Sequence, residues 1–157
     1  MNSALNDTLF PVCEVPAIGV PSDDNNFLEG KEIDSTGHKF IVREDNGHVL
    51  SCMTDEYKLI TNEKIFSYAS PMIEKSGGKV KEVAVFSEGA RTTVKWHFPN
   101  EKVRVRKGDY MTPEIVIRNS YDGTIGLNIL AGAFRLVCSN GMIIGVIAQN
   151  YKNKHSV

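Results

Sequence analysis

The basic side chains Lys79, Lys81, Arg91, Lys95, Lys102, Arg104, Arg106, Lys107, Arg118 and Arg135 alternate along the sequence with Trp96, His97, Tyr110, Tyr121 and Phe134. Ammonium and guanidinium groups neutralise phosphates, while exposed aromatic rings stack on unpaired bases, so this mixture suits a single-stranded nucleic acid. The residues expected to carry that contact are Lys95, Arg104, Arg106, Lys107, Arg118 and Arg135. They make a site only if the fold gathers them on one face; otherwise they are solvated surface charge. Trp96 and Phe134 are expected in the core.

Catalytic patterns are missing. The sequence has no Walker loop, GxGxxG, HExxH, GxSxG or EF-hand motif, which argues against the common nucleotide, zinc, serine-hydrolase and calcium chemistries. Cys13, Cys52 and Cys138 are too few and too scattered for a disulfide framework, and no CxxC or paired Cys/His spacing suggests zinc. His38, His48, His97 and His155 follow no pattern that would place a base beside a thiol. Asp109, Glu114 and Asp122 fall near predicted strand ends, where metal ligands can sit, but turn chemistry accounts for Asp122 and solvation for the others. The expectation is a non-enzyme with no catalytic residue, no metal and no cofactor.

Charge is distributed unevenly. Residues 1–56 hold 3 Lys/Arg against 11 Asp/Glu, and residues 57–157 hold 15 against 8, so a net charge of −1 conceals halves of −8 and +7. An acidic arm ahead of a basic body implies either internal charge balance or a basic face for a polyanion that the arm partly masks. With 157 residues, 41% of them hydrophobic and 24% charged, the chain has the composition of one globular domain. No apolar run approaches the ~20 residues that span a bilayer, and the opening MNSALNDTLFPVC has neither a basic nor an apolar signal region. A cytoplasmic location, in a bacterial host, and no membrane partner are expected.

The elements that must position the basic set follow from periodicity. Residues 1–37, with Pro11, Pro16, Pro21 and the run Ser22-Asp23-Asp24-Asn25-Asn26, read as an irregular arm pinned by Phe10, Val12, Val15, Ile18 and Val20. Residues 39–43 and 48–52 flank Asn46-Gly47, a strong hairpin signal. Asn62 caps a helix whose Ile65, Ala69, Met72 and Ile73 form one stripe, Pro71 should kink or split it, and Gly77-Gly78 ends it. The period then drops to two: Val83 and Val85, a turn at residues 87–90, and Val94, Trp96 and Phe98 on one face. Residues 102–107 are a strand edge or a basic loop. Residues 114–119 and 126–138 are strands joined by the turn Ser120-Tyr121-Asp122-Gly123, and residues 142–148 are a final strand or a helix start.

Three stretches, residues 57–63 (Tyr-Lys-Leu-Ile-Thr-Asn-Glu), 117–123 (Ile-Arg-Asn-Ser-Tyr-Asp-Gly) and 134–141 (Phe-Arg-Leu-Val-Cys-Ser-Asn-Gly), occur in an order and spacing that resembles a phage/plasmid-like protein family of unknown function, over about residues 40–145. The resemblance implies a mobile-element setting and assigns no catalytic residue. It also implies a longer, helical C-terminal region than this chain carries. Arg135, a lone Arg in an apolar strand, must reach water, a carboxylate or a phosphate, and a buried pair with Asp122 or Glu114 is the plainer outcome.

The expected architecture is α+β: an arm over residues 1–37, then one domain over residues 38–157 with an antiparallel sheet packed on one or two helices. Two functions stay open. One is a single-stranded nucleic-acid-binding or annealing accessory acting as a homo-oligomer; the other is an interaction or inhibitor module that meets a host or phage protein through the acidic arm or a sheet edge. A metal enzyme using Asp109, Glu114 or Asp122 trails both.

Overall fold

A computed structural model describes residues 3–20, 36–136 and 143–153 of the chain. Alternating apolar residues from position 79 onward build the main sheet: β4 (Lys79–Phe86), β5 (Arg91–His97), β8 (Glu114–Ser120), β9 (Leu127–Leu136) and β10 (Ile143–Asn153), antiparallel in the order β10-β9-β8-β5-β4. A smaller antiparallel sheet holds β1 (Val12–Pro16), β2 (His38–Arg43) and β3 (Val49–Thr54), with β2 in the centre. Between β5 and β8 the chain leaves the main sheet as a separate hairpin of β6 (Val103–Arg106) and β7 (Asp109–Met111). The fold is α+β.

Among the described residues two α-helices accompany the sheets, the short α1 (Ser3–Asn6) and α2 (Asn62–Lys75). Thr61 caps α2 in place of the expected Asn62: its hydroxyl accepts from the Lys64 N–H at 3.2 Å. Gly77, at φ +91°, and Gly78 close the other end with N–H bonds to Glu74 and Ile73 of 3.0 and 2.9 Å, a Schellman termination. Pro71 does not split the helix. Its ring lies on the exposed side, and the helix is held by its buried stripe, Ile65, Phe66 and Ile73, against Val94, Trp96 and Ile117 of the main sheet. The Phe66 and Trp96 ring centroids are 5.9 Å apart.

Residues 3–20 differ from the irregular arm expected over residues 1–37, of which residues 21–35 lie outside the described residues. Leu5 joins the core beneath α2, and β1 pairs with β2 from Val12–Arg43 to Pro16–Lys39. Proline at either end of a short edge strand hid this strand from propensity: Pro11 precedes it, and Pro16 tolerates its last position. Phe10, Val12, Ile41 and Leu50 then form a second core with Tyr57, Ala90 and Tyr121, which is where the two sheets meet.

Candidate functional site

The β6–β7 hairpin and the residue before it carry one exposed part of the basic set, apart from Lys79 and Lys81 on β4. Arg104 stands directly opposite Tyr110 in its register, so both side chains lie on one face of the ribbon. Lys102, Arg104 and Lys107 are exposed, and Tyr110 is 59% exposed. Gly108, at φ +83° with open space around it, permits the tight reversal between the strands. Exposed cations and an exposed aromatic ring thus share one hairpin.

The remaining members of the expected site lie elsewhere. Lys95, on β5, is 6% exposed, and its ammonium is held 2.6 Å from Glu82 of β4. Arg118, on β8, is half-buried among interactions of its own, and desolvation pushes its pKa below the usual arginine range. Arg106 and Arg135 fall on β6 and β9, and their side chains lie outside the described residues. The two carboxylates expected near Arg135 have other cations: Glu114 is bonded to Lys81, and Asp122 lies 3.4 Å from the Arg91 Nε. Arg91 also donates to the Ser87 hydroxyl at 2.7 Å. Of the six residues, the structure places Arg104 and Lys107 together on the hairpin, with Arg106 in the same strand, and keeps Lys95 and Arg118 apart.

A recess of about 360 Å³ opens where the hairpin leaves the sheet. Val103 lines it from the outgoing leg and Pro113 from the returning leg, with Phe98, Ile115, Ala131 and Ala133 behind them. The Phe98 N–H donates to the Pro113 carbonyl at 3.1 Å and fixes the two legs at their root. Among the described residues no group of three or more His, Cys, Asp or Glu is placed to hold a metal ion, and no helix is long and apolar enough to cross a membrane.

Two of the three stretches that carry the family resemblance meet in a buried polar joint. Asn119 donates from Nδ2 to the Ile60 carbonyl at 3.1 Å and to the Asn62 Oδ1 at 2.9 Å. Asn62 donates in turn to the Thr8 carbonyl and the Thr92 hydroxyl, both at 3.0 Å, and its N–H donates to the Tyr121 hydroxyl at 2.7 Å. The Tyr57 hydroxyl reaches the Ser120 carbonyl at 3.4 Å, and Ser51 donates to the Tyr121 carbonyl at 2.5 Å. Burial pushes the Tyr121 hydroxyl pKa up to about 12 and raises that of Tyr57 as well. Asn62, Asn119, Tyr57 and Tyr121 are buried, with Ser51 part-buried at the edge, and their bonds to side chains and carbonyls lock α2 and both sheets together. The third stretch, residues 134–141, lies outside the described side chains.

Residues 49–157 match the model of a domain of unknown function, DUF932. The chain belongs to that family. The match takes in the hairpin, the recess and the joint from Tyr57 onward. Two proteins of Escherichia coli (strain K12), the UPF0380 proteins YfjQ and YafZ, are each 43% identical to it over 47 residues, covering 27% of this chain and 17% of the relative. The aligned part is thus a small fraction of either relative's length. No solved structure matches the chain. Within this DUF932 domain, sequence reasoning did not find the recess, whose lining comes from separated segments that the pairing of β8 with β5 and with β9 brings together.

Proposed function

We propose that this DUF932 domain is a non-enzymatic nucleic-acid-binding module of a phage or other mobile element, gripping single strands through its β6–β7 hairpin. The observation that carries the reading is the cross-strand pair Arg104–Tyr110 on an exposed ribbon that also bears Lys102 and Lys107. Among the described residues Lys102, Arg104 and Lys107 make no ion pair, so they meet phosphates without first losing one, and an exposed tyrosine stacks on a base of any identity. Lys95 takes no part, because its charge is neutralised by Glu82 inside the sheet.

The test is fluorescence-anisotropy titration of labelled single-stranded and duplex DNA and RNA at low and physiological salt. Binding should favour single strands and weaken as salt rises. Replacing Arg104, Arg106 and Lys107 together by alanine should reduce the salt slope by about 2, near 0.7 for each phosphate no longer neutralised. Absence of binding at low salt overturns the reading.

A second reading, an interaction module for a host protein, is favoured by the outer face of the small sheet. There Val15 stands opposite Phe40 and Phe40 opposite Cys52, with Val15, Val49 and Cys52 exposed. Copurification of a host protein, abolished when Val15 and Val49 are both replaced by lysine, would support it over the first.

A further inference from the structure

Helix α2 buries Ile65, Phe66 and Ile73 and turns its other side to solvent. On that side stand Tyr68, 73% exposed, and Met72, 71% exposed, with Pro71 exposed between them in sequence. Single exposed apolar residues are ordinary, but here two lie one turn apart beside a proline and form a continuous strip along the middle of the helix. Charge flanks the strip at both ends. Glu63 and Lys64 stand at its start, Glu74 and Lys75 at its finish, all four exposed and, among the described residues, none of them in an ion pair.

We propose that α2 pairs antiparallel with α2 of a second copy of this chain, about a two-fold axis level with Ser70. That axis sets Tyr68 of one copy beside Met72 of the other, twice over, a contact of thioether and aromatic ring. It also brings Glu63 and Lys64 of one copy to within about 3 Å, along the helix, of the level of Glu74 and Lys75 of the other, at a rise of about 1.5 Å per residue. Each ammonium then has a carboxylate across the interface. Parallel pairing would instead set like charges side by side at both ends. The antiparallel sense also places the positive end of each helix dipole beside the negative end of its neighbour.

Charge selects a second copy over other occupants. Two lysines and two glutamates leave the strip with no net charge, so it has no general attraction for an anionic lipid surface. A partner helix flanked by charges of one sign would be repelled by half of these groups, whereas the same helix reversed complements all four. The contact is isologous and closes at two copies. One pair of 14-residue helices, each about 20 Å long, buries less than a standard interface, so the association belongs in the micromolar to millimolar range. The inference is independent of the hairpin reading, although a dimer would carry two β6–β7 hairpins.

Sedimentation velocity of the full chain, from roughly 10 μM to 1 mM, reads the association directly. The unaltered chain should pass from monomer to dimer across that range. The deciding comparison uses two charge variants: Lys64→Glu with Lys75→Glu makes both ends of the strip acidic, and Glu63→Lys with Glu74→Lys makes both basic. Each variant alone should stay monomeric, and an equimolar mixture of the two should dimerise at least as tightly as the unaltered chain. All four positions are exposed, so circular dichroism should show the fold retained in both. Tyr68→Ala with Met72→Ala should weaken the dimer by roughly tenfold or more, as for interface anchors. An unaltered chain that stays monomeric at the highest concentration overturns the proposal. So does a dimer that persists in either charge variant alone or at full strength in the Tyr68 and Met72 variant, and so do charge variants that fail to dimerise when mixed.

Discussion

The side-chain amide of Asn119 on β8 donates to the side-chain oxygen of Asn62, the first residue of α2, across 2.9 Å of fully buried space. Through this bond the centre of the main sheet holds the helix start, and Asn62 passes the connection on to Thr8 and Thr92. Asn62→Ala would leave the Thr8 carbonyl without this donor and free Asn119 of its acceptor. A buried polar group without its partner costs ~1–3 kcal/mol. We therefore expect Asn62→Ala and Asn119→Ala each to lower unfolding free energy by about 2–4 kcal/mol in urea titration. The double variant should lose less than the sum, with a coupling of at least ~0.5 kcal/mol.

Tyrosine ionisation gives the joint an alkaline limit. The Tyr121 pKa rises from 10.0 to about 12 through burial, so above pH 10 the unfolded chain releases a proton that the folded chain retains. Stability is then unaffected below pH 10 and falls as pH climbs toward 12, by about 3 kcal/mol for two pKa units. Tyr57, shifted in the same direction by burial, adds to the loss. Circular dichroism and tyrosinate absorbance followed together should show unfolding in that window, with the tyrosinate signal of these two residues appearing only as the fold is lost. Tyr121→Phe should lessen the alkaline loss while lowering stability at neutral pH, since it removes the acceptor for the Asn62 N–H.

Gly89 connects the two sheets through close packing rather than hydrogen bonding. A Cβ built there would lie 2.5 Å from Phe10 Cζ and 3.1 Å from Arg43 Nη1, and the residue's φ is +108°. Arg43 fills the same corner: it stacks 3.8 Å from the Phe10 ring centroid, donates to the Glu88 carbonyl at 2.9 Å and pairs with Asp45, whose carboxyl it holds below the usual range. Gly89→Ala should destabilise the protein by more than ~2 kcal/mol, adding overlap to a left-handed backbone. Gly108→Ala, also at positive φ but in open space, should cost only about 1 kcal/mol. Equal thermal shifts for the two would show that backbone conformation alone governs both sites.

Periodicity made most of the main sheet legible, because Val94 and Trp96 alternate against one face and Ser120–Gly123 announces the reversal from β8 to β9, as Asn46-Gly47 does between β2 and β3 of the small sheet. It failed where local signals conflict with tertiary pairing. Pro11 and Pro16 make the first strand look like a loop, yet β2 supplies a partner and Phe10 a buried anchor. The basic set shows a related failure. Sequence counts charges but not the carboxylates folded against them, so Lys95 looked equivalent to Arg104 until β4 brought Glu82 to it. The polar motif residues could be read as turn formers; that Asn119 also braces a helix 57 residues earlier in the chain is a long-range fact that no local pattern carries.

That difference between Lys95 and Arg104 is itself open to measurement. Lys95→Met keeps the buried stem and leaves the Glu82 carboxylate, 45% exposed, to water, so stability should change by no more than ~1 kcal/mol. The salt slope of strand binding should stay where it was, because every bound phosphate keeps its cation. Arg104→Ala, at an exposed position, should instead leave urea stability within about 0.5 kcal/mol and lower the salt slope by roughly 0.7. If Lys95→Met flattened the slope and Arg104→Ala did not, the binding face would be the sheet rather than the hairpin, and the strand would have to displace Glu82 to reach it.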